Sequence, residues 1–221
     1  MLRGVIVNKF NVLGVVCALL VSASVQADDQ DITIQGKPIQ VITVDGQKHS
    51  LTVCGDYLAL RQQNQQLTIG DLSSRDYVEA KDSLIQCNIH NYAKQHQYVL
   101  DTQAEVPSIE TVVAHFPASA ALVVSNDEVN ELKKNGGGET LHEWTPSLVL
   151  KDERMVSEKE QVAYVVSQYQ SFKNSQGQSI AFITLGSGVI DGTFGKRSTY
   201  RIDAANGKIW SVTPVTENTS L

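Results

Sequence analysis

Two cysteines, Cys54 and Cys87, stand 33 residues apart, and the turn-forming pair Gly70-Asp71 lies midway between them. If the segments on either side are helices folded back at that pair, the two cysteines end at the same height and a disulfide staples the open end of the hairpin. In the chain-entropy model a bridge closing a loop of that size contributes roughly 3 to 4 kcal/mol. Whether it forms depends on the compartment, and the first 27 residues bear on that. Arg3 and Lys9 give a positive start, Val12 to Val21 an apolar run broken only by Gly14, and Val25-Gln26-Ala27 a small-residue cleavage site. That order predicts a secretory signal peptide cut after Ala27. The run falls short of the roughly 20 residues a membrane span requires. Cys17 lies inside this segment, preceded by Val16, which makes a poor lipid-attachment site. The remaining even pair, Cys54 and Cys87, is expected to be bonded in an oxidising compartment, bacterial periplasm or beyond. No second long apolar run follows, so no transmembrane segment is expected after signal removal.

The whole chain has 18 basic and 24 acidic residues, a net charge of −6. Losing Arg3 and Lys9 moves it to −8. Such a chain lacks the overall basic footprint of a protein that binds nucleic acid or an anionic membrane.

Residues 31–53 read as a β-hairpin of mostly β-branched residues turned at Asp45-Gly46. Two helices follow. The first lies near 56–66 and carries a glutamine-rich stretch; the second is capped by Ser73 or Ser74, with Tyr77, Ala80, Leu84 and Cys87 on one face. Residues 107–116 predict a short helix between Pro107 and Pro117. Ala118 to Val124 fits a strand or a helix. Ser125 and Glu128 form a capping box that starts a helix ending at Lys133-Lys134. Gly136-Gly137-Gly138 cannot continue it and marks a hinge or an internal boundary. Residues 148–215 read as an antiparallel meander: a strand over 162–172, a turn at 174–177, a strand over 180–185, and a glycine-punctuated loop through Gly186, Gly188, Gly192 and Gly195. A last hairpin over 199–202 and 208–212 turns at Ala205-Asn206-Gly207.

The expected fold is therefore α+β, a disulfide-stapled helical hairpin plus a C-terminal antiparallel β-meander. Residues 28–135 form its N-terminal half and 139–221 its sheet half, either as two units or as one domain. The run Tyr200 to Val212, with its Asp203, glycine turn, Lys208 and Trp210, resembles the closing hairpin of small exported modules such as the PepSY domain and NTF2-like immunity proteins. A helical half followed by a meander is also similar to the NTF2-like cone. The N-terminal β-hairpin and the bonded helix pair depart from it.

Motifs for chemistry are mostly broken. Gly186-Ser187-Gly188 lacks the glycine spacing of a nucleophile elbow, because Leu185 stands two before the serine. His142-Glu143 begins like a zinc-protease helix, but Pro146 takes the place of the second histidine. His90 and His96 are about 240° apart around one helix, and His49 and His115 are scattered, so no metal ligand set and no cofactor site is expected. Gly195-Lys196 has Ile190 and Arg197 where a phosphate loop requires glycine and Ser or Thr. Asp191 is an acid in a glycine turn. His142 and Trp144, after the triple glycine, are the candidate partner-binding loop, an exposed aromatic being a common anchor.

The expectation that follows is an exported, non-catalytic binding protein, of the inhibitor or immunity kind, acting on a protein partner in the envelope. The alternatives are an envelope assembly accessory and a cell-envelope hydrolase with an unrecognised carboxylate site such as Asp191.

Overall fold

The computed structural model describes residues 30–64 and 66–221. The expected signal segment and Cys17 lie outside them. The fold is α+β, as expected, with ten strands and five α-helices among the described residues. The N-terminal hairpin is β1 (Ile39–Thr43) and β2 (Lys48–Leu51), turned at Gly46 with φ of +84°. Helix α1 (Cys54–Gln63) follows, then β3 (Leu67–Ile69), then α2 (Ser74–Gln95). Ser73 caps α2, its hydroxyl accepting from the Asp76 N–H. The Cys54–Cys87 disulfide is present, with Cα atoms 5.5 Å apart.

One element was not expected between the two helices. Leu67 and Ile69 are buried while Thr68 points outward, and β3 pairs with β1 to give a small sheet ordered β2-β1-β3. Two inward apolar residues are too short a period to stand out in a sequence, and a partner 26 residues upstream supplies the ladder. The cysteines join this unit at its core, where Cys54, Tyr57, Leu84 and Cys87 are buried with Ile39, Val41 and Leu51.

The second unit is a seven-stranded antiparallel sheet. Its strands are β4 (Val99–Leu100), β5 (Val149–Lys151), β6 (Arg154–Ser157), β7 (Val162–Lys173), β8 (Ser179–Val189), β9 (Gly195–Ala204) and β10 (Ser211–Val215), in the order β10-β9-β8-β7-β6-β5, with β4 on the far end of β7. Helices α3 (Ile109–His115), α4 (Asn126–Asn135) and α5 (Leu141–Trp144) come before β5. Ser108 caps α3 and Ser125 caps α4; Glu128 returns its carboxylate to the Val124 N–H. Ala118–Ala120 is a single 3-10 turn.

Central β8 is covered on both faces, because alternate side chains of a strand point opposite ways. Ile183 and Leu185 join Val112, Phe116, Leu141, Tyr164 and Trp210 in the main core. Phe182 packs with Phe172, Ile85, Ile89 and Val215 under the C-terminal half of α2. Helix α2 therefore serves the small disulfide unit with one stripe and the large sheet with another. The triple glycine interrupts none of this: Phe116 before it and Leu141 after it share one core, joined by Leu141 N–H to Phe116 O at 2.8 Å.

Two sequence expectations for the meander are corrected. Gly186 and Gly188 belong to β8 and Gly195 opens β9, so the connection is only 190–194. A Cβ on Gly186 would sit 3.0 Å from Val165 Cγ1, so glycine there admits the close approach of β7, whose pairing carries the strand past Leu185. The last strand starts at Ser211 rather than Lys208, because the Trp210 N–H leaves the ladder to bond the His115 carbonyl.

The turn before β7 is locked by a carboxylate. Glu160 accepts from Ser147 and Ser157 hydroxyls, which also meet each other at 2.7 Å. Those bonds favour the charged form, and the Glu160 pKa falls from 4.5 to about 2. A group depressed when folded contributes stability above its unfolded pKa and loses it as pH falls. Glu160→Gln is therefore expected to lower Tm at neutral pH and to flatten the loss of Tm between pH 4.5 and 2. An unchanged acid limb in a pH series of melts would contradict this.

Candidate functional site

Past Leu185 a hollow separates the sheet from the helix that covers it. The face of β8 that carries Phe182 and Thr184 continues as Gly186, with Val165 and Arg197 directly across on β7 and β9. No large side chain from β8 fills that stretch. Above it runs the N-terminal half of α2, offering Arg75, Val78 and Glu79, while Arg154 of β6 closes the far side. The resulting groove has a volume of about 530 Å³.

Four cations line it: Arg75, Arg154, Lys196 and Arg197. Arg197 is held by Asp82 at 2.8 Å and Arg75 by Glu79 at 3.0 Å. Among the described residues Arg154, Lys196 and the neighbouring Lys81 have no carboxylate partner. Burial draws the Lys196 ammonium partly out of water and lowers its pKa, and the Lys81 charge lowers it further. A half-buried cation next to a like charge is stabilised by any anion that arrives. The groove is thus a local positive site on a chain of net negative charge. Its chemistry is recognition of carboxylate or phosphate, at which Arg and Lys are suited by their donors and charge.

The same surroundings set what Ser187 does. It is a strand residue only 9% exposed, on the groove's wall, and not a loop serine as the sequence suggested. Among the described residues neither a histidine nor a carboxylate hydrogen-bonds it. Asp191 sits exposed at the tip of the β8–β9 connection with φ of +55°, away from the Ser187 hydroxyl's strand position. The serines that do touch a carboxylate, Ser147 and Ser157, meet Glu160, whose pKa of about 2 makes it a feeble base at neutral pH.

The partner-loop candidates lie elsewhere. His142 and Trp144 belong to α5, a single turn fixed by a capping box between Thr140 and Glu143. His142 is exposed, and Trp144 is half-buried against the main core. Trp144 walls a different hollow, with Glu128, Glu131 and Glu160. The histidines stay apart. His90 is half-buried between Gln30 and Gln170, where burial lowers its pKa, and His115 stacks on Trp210 with ring centres 5.6 Å apart. Among the described residues no three His, Cys, Asp or Glu side chains are placed to hold a metal ion, and no helix is long and apolar enough to cross a membrane.

Sequence reasoning missed the groove because its cations come from positions 75, 154, 196 and 197, which only strand pairing and the packing of α2 on the sheet bring together. The legible trace was the adjacency of a small-residue run, Gly186-Ser187-Gly188, to a basic pair, Lys196-Arg197, across one hairpin. Comparison with protein families, curated proteins and solved structures returns no match for this chain, and the resemblance of the closing hairpin to exported modules assigns it to no family.

Proposed function

We propose that the chain is an exported, periplasmic, non-catalytic binding protein, of the inhibitor or immunity kind, that acts on a protein partner of the bacterial envelope through the cationic groove. The observation that carries this is the convergence of Arg154, Lys196 and Arg197 on a glycine-floored groove, in a chain whose net charge is negative. Cations spread at random over an acidic surface are solubility; Arg154 and Lys196, without carboxylate partners beside a hollow, are a complement awaiting an anion. The disulfide fits an oxidising compartment, and the signal-like N-terminus supports export.

The test is affinity capture from envelope extract of the source organism, using residues 28–221 and, in parallel, the Arg154→Glu/Lys196→Glu variant. One stoichiometric partner is expected with the unaltered protein. The variant should bind it at least about tenfold more weakly, since close interfacial charge pairs couple by about 1.5 kcal/mol or more. Capture of nothing, or an equal yield with both proteins, would overturn the reading.

A further inference from the structure

The cationic groove opens at one end onto an unfinished strand edge. Strand β10 pairs with β9 only over Thr199 to Ala204, its last pair being Val215 with Thr199. There the chain turns away, closing a turn in which Thr219 N–H bonds Thr216 O at 3.1 Å. Strand β9 itself begins at Gly195, and over 195–198 it pairs with β8 alone. Among the described residues, nothing pairs with the other edge of those four residues. Native folds seldom leave a strand edge bare without guarding it.

The edge faces a second hollow, also about 530 Å³, between β9 and the start of α2. Leu72, Tyr77 and Val78 give it an apolar wall, and Lys81 and Lys196 a cationic one, while Asp82, its one carboxylate, is paired with Arg197. Tyr77 is 40% exposed there, a large aromatic left half-covered. Bare backbone, an apolar wall and unpaired ammonium groups together match one chemistry. We infer that an extended, acidic segment of the partner protein adds as a strand to β9 beside Gly195–Ser198, continuing the line that β10 leaves. This inference rests on the binding reading above and specifies its mode. Strand addition draws affinity from main-chain bonds and specificity from alternate side chains. Alternation suits the hollow, since successive residues of the added strand would face opposite sides. The lysines have a double effect: they discourage a second copy of this basic edge from pairing with it, and they select an acidic segment.

The probe is a synthetic peptide of alternating glutamate and valine, about eight residues long, added to the disulfide-bonded protein, residues 28–221. The same peptide with every backbone nitrogen methylated carries the same charge but has no N–H to donate to a ladder. Binding is followed by titration, and protection by amide hydrogen exchange. The glutamate–valine peptide should bind and protect amides within 195–198, the methylated peptide should not, and Lys81→Glu/Lys196→Glu should weaken binding about tenfold. Equal binding of both peptides without protection overturns strand addition and leaves an anion-binding groove. If neither peptide binds while the partner is captured in a charge-sensitive way, the acidic strand is wrong and the binding reading stands. If neither peptide binds and nothing is captured, both fall.

Discussion

Replacing Cys54 and Cys87 together by alanine is expected to lower the stability of the folded chain by about 3 to 4 kcal/mol. In a domain of this size that corresponds to about 10 °C in Tm. Alanine is the appropriate replacement because both cysteines are fully buried, and a serine would add an unpaired hydroxyl. The bridge closes a loop of 33 residues that contains α1 and β3. Cutting it therefore releases the small sheet's third strand and its covering helix together. Thermal melts of the double variant and of the unaltered protein, with and without reductant, check this. The reduced unaltered protein should match the variant. A shift below about 1 kcal/mol would mean that the disulfide closes a segment already held by packing.

Ending the chain at Val215 is expected to cost about 4 kcal/mol, although residues 216–221 form no helix or strand. These residues complete the small unit. The Tyr57 hydroxyl donates to the Glu217 carbonyl, and Asn88 Nδ2 donates to the same oxygen at 3.2 Å. Asn218 pairs with Leu67 twice, accepting its N–H at 2.8 Å and donating to its carbonyl at 3.0 Å, as a neighbouring strand would. The Arg61 guanidinium reaches the Asn218 carbonyl at 2.8 Å. Tyr57 is fully buried, and burial pushes its pKa up to about 12, so its hydroxyl remains a donor in search of an acceptor at any physiological pH. Each buried group left unpaired costs about 1 to 3 kcal/mol. Denaturant melts measure the total, and a double-mutant cycle separates it. With Tyr57→Phe already present, the truncation should cost about 1 to 2 kcal/mol less, because the orphaned hydroxyl is gone. Strict additivity of the two changes would rule out the Tyr57–Glu217 bond as part of the effect.

Signals of short range were legible in the sequence. Ser73 and Ser125 each cap the helix they were expected to start, and each acts on an N–H only three residues away. The α+β class and the disulfide followed from composition, spacing and a turn at the midpoint. Long-range pairing was not legible. Strand β3 is recognisable only once β1 lies beside it. Gly186 looks like a loop residue until β7 supplies the partner that makes its lack of a side chain a close approach, and Gly188 until β9 pairs with it. The cationic groove is the extreme case, since each of its residues is an ordinary surface charge in its own stretch of sequence. The register of β9 on β8 sets Arg197 opposite Gly186 and Lys196 opposite Ser187, while β6 and α2 bring Arg154 and Arg75 to the same groove.

The bonds from Tyr57, Arg61 and Leu67 to residues 217 and 218 span 151 to 160 positions of the chain. At about 5 to 20 residues per second of synthesis, the first unit waits roughly 10 to 30 s for those partners. Throughout that interval the Tyr57 hydroxyl and the Leu67 backbone lack their native partners. Ribosomes thus deliver an N-terminal segment whose native hydrogen bonds stay incomplete until a distant stretch arrives.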